Sequence, residues 1–332
     1  MIKVGIVGAG FMGTTHAQGY AQVADTKIIG IADMREEPCR KLAAQHSAEA
    51  FATIDDLLAR KPDIVDICLP TPMHPDAVAR AAKAGANILL EKPIALTLKA
   101  ADEIIEVVRK NKVRCMIAHV LRFWPEYVKI REVLLLGTLG KPLTAGAIRV
   151  SEPPGWSGWF KDASQSGGVC VDLMIHDFDM CNWLFGKPVT AYAAATENFG
   201  GGWFDMNAIV SYESGVSVSF KGSQMMPKGY PFTMGLRIQG TKGTLDFLFR
   251  AGANVENRAE AQKDFVLFLE DGTAKTLTAE GIDGYAAEVA YFVECVKKNR
   301  PVDRGTPEEG RLALEVGLAC ARSAKEGRVI KL

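Results

Sequence analysis

The sequence predicts an α/β protein. A doubly wound parallel sheet comes first, and a second α+β domain with a large open, mainly antiparallel sheet follows. Short apolar strands alternate with helical segments over the first 120 residues, and a glycine-rich turn follows the first strand. Consecutive short strands separated by turn residues then run from Val189 to Leu277. Continuous apolar strands between helices indicate a parallel sheet covered on both faces, whereas successive strands indicate an antiparallel one.

The first 120 residues are predicted to form one Rossmann domain. Its strands are Lys3–Val7, Lys27–Ala32, Ile64–Leu69, Asn87–Leu90 and Arg114–Ala118. Its helices are Met12–Ala24, Glu36–His46, Asp76–Ala84 and Leu98–Asn111. The last of these helices follows Thr97, a residue type favoured at a helix N-cap. Strands that alternate with helices in this way form βαβ units, which build a doubly wound sheet.

Residues 121–332 are predicted to form a second domain, for substrate binding and oligomerisation. Its helices are Pro125–Leu136, Asp172–Phe185, Tyr285–Lys298 and Pro307–Lys325. Its strands are Pro142–Val150, Asn207–Tyr212, Val216–Phe220, Met234–Gln239, Gly243–Phe249 and Phe265–Leu269. The dipeptide Asp271-Gly272 is typical of a hairpin turn. An open sheet leaves one face to cover, which favours association of two copies through that face.

Composition excludes several classes of protein. The chain has 332 residues, of which 48% are hydrophobic, and 39 Lys and Arg balance 39 Asp and Glu. A net charge of zero argues against nucleic acid or an anionic membrane as partner. No apolar run reaches the ~18 residues of a membrane span, and the N-terminus does not resemble a signal peptide. Seven cysteines without a C-x-x-C pair predict reduced thiols, a cytoplasmic location and no zinc site.

The first strand leads into Gly8-Ala9-Gly10-Phe11-Met12-Gly13, which matches G-x-G-x-x-G. In a strand–turn–helix context the first glycine permits the tight turn and the second lets the backbone approach a pyrophosphate. The third lets the helix pack closely on the strand. The helix N-terminus then faces the phosphate charge. This turn, with Phe11 and Met12 inside it, is predicted to bind a dinucleotide.

Asp33 and Arg35 bear on which dinucleotide is bound. Asp33 stands 20 residues after Gly13, where an acidic residue accepts hydrogen bonds from the ribose hydroxyls of NAD. A 2′-phosphate beside this carboxylate would be repelled, so NAD is favoured. Arg35 leaves NADP as the alternative, because a guanidinium can clamp that phosphate.

Further polar residues follow the later strands of the first domain. Ligands of open α/β sheets bind beyond the carboxyl ends of the strands. The segments in question are Thr71-Pro72-Met73-His74, Glu91-Lys92-Pro93 and His119. A lysine at this edge is poorly placed to be merely solvated. The alternative is that Lys92 pairs with Glu91 or another acid at the rim.

In the second half, the run Gly167–Asp179 places polar groups in an apolar helical segment. On one continuous helix Asp172, His176 and Asp179 would share a face, because they stand at i, i+4 and i+7. Polar groups among apolar neighbours are costly unless they are paired or functional. The alternatives are a structural Asp–His pair, or a metal site from His176 and Asp179, for which no third ligand is evident.

These motifs together resemble the Gfo/Idh/MocA oxidoreductases. The resemblance rests on Gly8–Gly13, Pro70–His74, Glu91-Lys92-Pro93, His119–Pro125 and Gly167–Asp179, in this order. It spans nearly the whole chain. It implies a Rossmann domain and an α/β domain with a large open sheet, a nicotinamide cofactor, and a sugar or cyclitol substrate. It also implies a homodimer or homotetramer formed through that sheet, and a cis Lys92–Pro93 peptide.

Carried onto this chain, the resemblance makes Lys92 the catalytic lysine and Asp172 and His176 the acid–histidine pair. Oxidation of a carbinol requires a base for the hydroxyl proton, and the ordinary pKa of histidine, ~6.5, suits that role. Asp172 would orient His176 or bind a neighbouring hydroxyl. Lys92 would stabilise the developing alkoxide.

The residues that recognise the substrate are harder to predict. Sugar rings stack on aromatic side chains and need polar partners for their hydroxyls. Trp159, Trp156 and Tyr230 are candidates for stacking, with ordinary packing as the alternative. His119 and Arg122 are candidate polar contacts, although Arg122 could equally form an interdomain salt bridge. His74, by the resemblance, lies near the cofactor.

The predicted function is NAD(P)-dependent hydride transfer to or from a ring carbon of a sugar, sugar derivative or inositol. A redox-assisted glycosidase that retains its cofactor is a second hypothesis. A non-catalytic sensor that binds a dinucleotide is a third, and the presence of Lys92, Asp172 and His176 argues against it.

Overall fold

The computed structural model describes residues 1–153, 158, 162–197, 203–252 and 261–332. Within these ranges no helix is both long and apolar enough to cross a membrane. The chain folds into two units, each of which is made of two stretches of sequence. The first unit comprises 1–124 and 281–311, and the second comprises 125–280 and 312–332.

The first unit contains a parallel sheet of six strands among the described residues. They are β1 (Ile2–Val7), β2 (Thr26–Ala32), β3 (Glu49–Phe51), β4 (Ile64–Ile67), β5 (Asn87–Glu91) and β6 (Cys115–Ala118). Their order, β3-β2-β1-β4-β5-β6, is that of a dinucleotide-binding Rossmann sheet. β4 and β6 are buried along their whole length because helices cover both faces of the sheet.

Five helices alternate with these strands, and four of them are predicted from the sequence. They are α1 (Phe11–Tyr20), α2 (Glu36–Gln45), α3 (Ile54–Leu58), α4 (His74–Lys83) and α5 (Leu98–Asn111). The Thr97 side chain accepts a hydrogen bond from the Ala100 amide and caps α5, as expected. α5 ends at Asn111, and Lys112 after it adopts a left-handed conformation. The short β3 and α3 are additional to the predicted elements, because three and five residues give too little periodicity to detect.

The second unit is built on a sheet of nine strands among the residues described. They are β7 (Pro142–Val150), β8 (Pro188–Glu197), β9 (Trp203–Tyr212), β10 (Ser217–Ser223), β11 (Thr233–Gly240), β12 (Gly243–Arg250), β13 (Gln262–Leu269), β14 (Ala274–Thr276) and β15 (Ile330–Lys331). Their order is β14-β13-β12-β11-β7-β10-β9-β8-β15. Neighbouring strands pair antiparallel, except for the parallel pair β7–β10. The predicted fold class is confirmed.

One face of this second sheet is buried and the other is open. Along β9 the even-numbered residues from Phe204 to Tyr212 are buried, whereas Asn207 and Ile209 are exposed. Tyr192 on β8 and Phe268 on β13 are also exposed. This alternation follows the two-residue period of a strand with one face on a core. We call the solvent-facing side the open face.

The remaining helices are α6 (Pro125–Leu135), α7 (Ala163–Ser166), α8 (Gly168–Asp172), α9 (Ile175–Phe185), α10 (Gly284–Lys297) and α11 (Pro307–Glu326). α10 belongs to the first unit and packs against α1. Residues 281–311 thus fold with the first unit, although they lie within the predicted second domain of 121–332. The sequence division at residue 120 stays a prediction about domain organisation.

Candidate active site

The glycine-rich turn has the geometry that its sequence predicts. Gly8 has a φ of +107°, and a Cβ there would lie 2.3 Å from the carbonyl oxygen of Cys68. A Cβ on Gly13 would lie 1.8 Å from the carbonyl oxygen of Gly8. Any larger side chain at either position would force apart the turn, or the helix and the strand that it joins. Both glycines are therefore required by the backbone itself.

Gly10 plays a different part in the same turn. The nearest atom that a Cβ on Gly10 would meet, outside its chain neighbours, is Arg35 Nη2, at 3.8 Å. The surroundings therefore leave room for a ligand to approach. α1 begins directly after Gly10, and no side chain at this position caps the first amides of the helix. These amides and the helix dipole suit a phosphate group.

Asp33 is tied to the turn and to Arg35. Its Oδ2 accepts hydrogen bonds from the Ala9 amide at 2.7 Å and from Arg35 Nη2 at 2.8 Å. Its Oδ1 accepts from the Arg35 amide at 2.8 Å and from Nε at 3.1 Å. Burial alone would raise the pKa of Asp33, but the hydrogen bonds from Arg35 and Ala9 outweigh burial and lower it. The carboxylate is thus ionised, with an exposed guanidinium against it.

The segment after β4 lies at the carboxyl edge of the same sheet. Thr71 and Pro72 form a short 3-10 turn, and Thr71 is buried. His74 is fully buried, with Nδ1 3.0 Å from the carbonyl oxygen of Pro93 and Nε2 2.9 Å from that of Leu69. Burial lowers the pKa of His74, although these carbonyls favour the protonated ring. The imidazole therefore joins the end of β4 to the segment after Lys92.

Lys92 follows the last residue of β5 and is half-buried. Its peptide bond to Pro93 is cis, which confirms the expectation from the family resemblance. Its amide donates a hydrogen bond to Glu91 Oε2 at 3.0 Å. The side chain of Glu91 thus folds back on the main chain of its neighbour and is itself almost fully buried.

His119 and Arg122 are both buried, each with 1% of its surface exposed. Arg122 Nη1 lies 2.5 Å from Glu309 Oε1, and both residues belong to the first unit. This ion pair gives Arg122 a structural partner inside the unit. A role of either residue in substrate binding stays a prediction.

In the second unit, Asp172 and His176 lie on two short helices. α8 ends at Asp172, and α9 begins at Ile175 after a break at Leu173 and Met174. The single continuous helix expected from the i, i+4, i+7 spacing is therefore wrong. Asp172 is buried and His176 is half-buried in the first turn of α9.

Asp172 is held by a residue that the sequence did not suggest. Gln224 Nε2 donates a hydrogen bond to Asp172 Oδ2 at 2.9 Å. Gln224 directly follows β10, and only 4% of its surface is exposed. Its main-chain amide donates a hydrogen bond to the main-chain carbonyl of Phe204 on β9. The sheet therefore fixes the position of this carboxamide, and the carboxamide fixes the carboxylate.

The residue after His176 is held still more firmly. Asp177 accepts two hydrogen bonds from Arg149 on β7, from Nε at 2.7 Å and from Nη2 at 2.9 Å. The side chains of Arg149 and Asp177 are 5% and 6% exposed. Burial raises the pKa of Asp177, and the Arg149 guanidinium opposes that shift. This ion pair connects the first turn of α9, where His176 lies, to the buried face of the sheet.

The other predicted contacts fall in different places. Tyr230 is half-buried in a turn, where its amide donates to the carbonyl of Pro227. Trp156 and Trp159 lie outside the described residues. The supporting side chains Arg149 and Gln224 were missed because their partners stand 28 and 52 positions away. Only long-range pairing brings them together, and no local spacing signals it.

A parallel 3-2-1-4-5-6 sheet with this glycine turn and an acidic residue after the second strand defines a dinucleotide-binding protein. The chain belongs to the Gfo/Idh/MocA family. Residues 2–119 match the family's "oxidoreductase family, NAD-binding Rossmann fold" and residues 131–332 match its "oxidoreductase family, C-terminal alpha/beta domain". The predicted family, enzyme class and NAD cofactor are thereby confirmed.

Curated relatives match over almost the full chain. The inositol 2-dehydrogenase of Rhizobium meliloti is 27% identical, with 100% of this chain and 99% of the relative covered. The UDP-N-acetylglucosamine 3-dehydrogenase of Acidithiobacillus ferrooxidans is 28% identical, covering 91% and 90%. A protein from gentamicin A biosynthesis, solved in complex with NAD, shares the fold. Its TM-score is 0.84 and its identity 22%, over 100% and 96% of the chains.

Proposed function

We propose that this protein transfers a hydride between NAD and a ring carbinol or carbonyl of a sugar, sugar derivative or inositol. The observation that carries the proposal is Lys92. It is placed at the carboxyl edge of the Rossmann sheet, where a bound ligand is expected, and its main chain is fixed by Glu91. Asp172 and His176 supply the acid–base pair, each on an element that the second sheet holds in place.

The three side chains divide the chemistry. The residues of the turn Gly8–Gly13 and Asp33 would hold NAD, whose nicotinamide ring would supply the hydride acceptor. His176 removes the hydroxyl proton as the hydride leaves, because imidazole titrates near neutral pH. Asp172 orients that imidazole or binds an adjacent hydroxyl. The Lys92 ammonium stabilises the charge that develops on the reacting oxygen.

The relatives and the chemistry together support the proposed substrate class. The two curated relatives are named for an inositol and for a nucleotide sugar, and both names denote dehydrogenases of secondary alcohols on a ring. NAD is preferred to NADP because the Asp33 carboxylate is ionised and close to the turn. All seven cysteines are free thiols, which supports the predicted cytoplasmic location.

The open face supports the predicted homodimer or homotetramer. Tyr192, Ile209 and Phe268 are 44%, 50% and 45% exposed. They belong to three strands of one sheet, so apolar side chains are exposed at separate places on its open face. A second copy of the chain would bury it in a symmetric interface. Light scattering tests this by measuring molar mass. The wild type should have the mass of a dimer or tetramer, and Ile209→Asp should have a lower mass.

A spectrophotometric screen at 340 nm tests the enzymatic proposal. NAD and NADP are each offered with inositols, aldoses, sugar phosphates and nucleotide sugars. We expect absorbance with one class and NAD, and a loss of about 10³-fold or more in kcat/KM for Lys92→Ala and for His176→Ala. Lys99→Ala, on the exposed surface of α5, is the matched control and should keep full activity.

Two results would contradict the proposal. One is full turnover by Lys92→Ala or His176→Ala while NAD binding, measured by calorimetry, is retained. The other is cleavage of a glycoside with no net change at 340 nm, which would favour the redox-assisted, cofactor-retaining hypothesis. Binding of NAD without any turnover across the panel would favour a sensor.

A further inference from the structure

A cluster of ionisable side chains is buried inside the first unit, and it includes Glu91, the residue before Lys92. Its centre is His16 on α1, which is fully buried. His16 Nδ1 lies 2.9 Å from Asp66 Oδ2, and His16 Nε2 lies 3.1 Å from Glu91 Oε1. A third carboxylate, that of Glu288 on α10, lies 4.0 Å from Nε2. The titratable groups that face His16 are thus Asp66, Glu91 and Glu288, with Cys68 and Tyr285, and Tyr20 interacts with the same Asp66.

The carboxylates around His16 favour its protonated form. Nδ1 is hydrogen-bonded to Asp66, whereas Nε2 lies at ion-pair distance from Glu91 Oε1 and makes no hydrogen bond to the described residues, so Glu91 acts on the ring through its charge. Burial by itself lowers the pKa of an imidazole, but Asp66 and Cys68 together outweigh burial and raise the pKa of His16 well above 6.5. A buried imidazolium between two buried carboxylates is stabilised by their charge, whereas any one of the three alone would be costly.

Glu91 connects this cluster to the proposed catalytic lysine. One oxygen of its carboxylate faces His16, and the other accepts the amide hydrogen of Lys92 at 3.0 Å. We propose that His16 is a positioning residue: held as an imidazolium by Asp66, it fixes the Glu91 carboxylate, and Glu91 fixes the main chain of Lys92. The inference rests on the proposed role of Lys92. It also ties α1, whose N-terminus forms the dinucleotide turn, to the lysine that follows β5.

A metal ion is the competing explanation of the cluster. Ligand atoms of His16, Asp66 and Cys68 lie within 4.8 Å of one another. A metal would need Cys68 as a thiolate and His16 Nδ1 without its proton. Burial raises the pKa of Cys68 well above its ordinary value, and Nδ1 already faces Asp66. The hydrogen-bonded imidazolium is therefore favoured, and metal analysis of the purified protein is part of the test.

Two isosteric variants separate the two ring nitrogens. The amide nitrogen of glutamine reaches the place of Nε2, and that of asparagine the place of Nδ1. His16→Gln therefore keeps a donor toward Glu91, whereas His16→Asn keeps one only toward Asp66. Both remove the charge. We expect kcat, normalised to the number of NADH-binding sites, to fall by about 10–100-fold in His16→Asn. In His16→Gln the decrease should be about ten times smaller. The Kd for NAD should change less than about threefold in both.

A purely structural role would lower the melting temperature of both variants and leave kcat per binding site unchanged. Equal kcat values in the two variants, or stoichiometric bound zinc in the wild type, would overturn the inference. If His16→Asn does not fold, the ¹⁵N spectrum of histidine-labelled wild type decides. The histidine signal that is missing from the spectrum of His16→Gln belongs to His16. At pH 8 this signal should show both ring nitrogens protonated, and a neutral ring would refute the proposal. Full turnover by Lys92→Ala would instead refute the proposed function, so the two failures are distinguishable.

Discussion

The two units support their proposed catalytic side chains in different ways. In the first unit, Lys92 follows a parallel strand, and its support comes from Glu91 beside it and from the buried His16 behind it. In the second unit, Asp172 and His176 stand at a break between two short helices. Their support comes from Gln224 and Arg149, which lie at the carboxyl ends of β10 and β7, the parallel pair of the second sheet.

The difference teaches where sequence motifs are reliable. A parallel βαβ sheet brings the carboxyl ends of successive strands to one edge, so residues that follow those strands meet by topology alone. In the second sheet the parallel neighbours β7 and β10 are separated in sequence by two other strands, so the pairing that brings Arg149 and Gln224 to one edge cannot be predicted from strand order. Support residues of the second unit are therefore visible only in the structure.

The largest expected effect is on stability, and it sharpens this comparison. Arg149→Met leaves Asp177 as a buried carboxylate without its guanidinium, and breaking one side of such a pair costs about 3–5 kcal/mol. We expect a loss of that size in the free energy of unfolding at pH 7, measured by urea denaturation.

Arg237→Met is the matched control. Arg237 pairs with Asp246 across β11 and β12, on the same sheet, but its side chain is 66% exposed. An exposed pair contributes about 0–1 kcal/mol. Similar losses of unfolding free energy in the two variants would show that the Arg149–Asp177 ion pair stabilises the protein no more than an exposed pair does. The expected difference between the buried face and the open face of the sheet would then be contradicted.

The second prediction concerns the pH dependence of the first unit's support. The folded pKa of His16 lies above its unfolded value, so its contribution to stability is complete below about pH 6.5 and is lost as pH rises through the folded value. The stability difference between wild type and His16→Gln should therefore shrink from pH 6.5 to 9, by up to about 1.4 kcal/mol per pH unit. Urea titrations at four pH values measure it. A difference that grows with pH would contradict the imidazolium.

Much of the first unit could be predicted from the sequence, since most residues of its longer strands are apolar and alternate with helical segments. Gly8 and Gly13 are required where the motif places them. The role of His16 could not be predicted, because nothing in its spacing reveals Asp66, which stands 50 positions away, or the still more distant Glu91. The break at Leu173 was also not predicted, since apolar periodicity continues across it.

A third, smaller effect tests the support of Asp172. Gln224→Met removes the hydrogen bond from this carboxamide to Asp172 while it keeps the side-chain volume. We expect kcat to fall about tenfold, equivalent to about 1.4 kcal/mol, with NAD affinity unchanged. Gln239→Met, exposed on β11, serves as control. If the two variants have equal kcat values, Gln224 is not needed to hold Asp172.

The smallest effect concerns Arg35, the most exposed of the groups that contact Asp33. Its guanidinium donates hydrogen bonds to both carboxylate oxygens of Asp33, the residue predicted to accept the ribose hydroxyls of NAD, and its side chain is 58% exposed. Removing an exposed partner changes binding by about 1 kcal/mol or less. Arg35→Ala should therefore leave NAD affinity within about threefold and weaken NADP, because the cation that can face a 2′-phosphate is lost while Asp33 remains. Calorimetry with both dinucleotides measures the ratio. Tighter binding of NADP by the variant would show that Arg35 does not serve the phosphate, and that the turn and Asp33 alone decide the choice of cofactor.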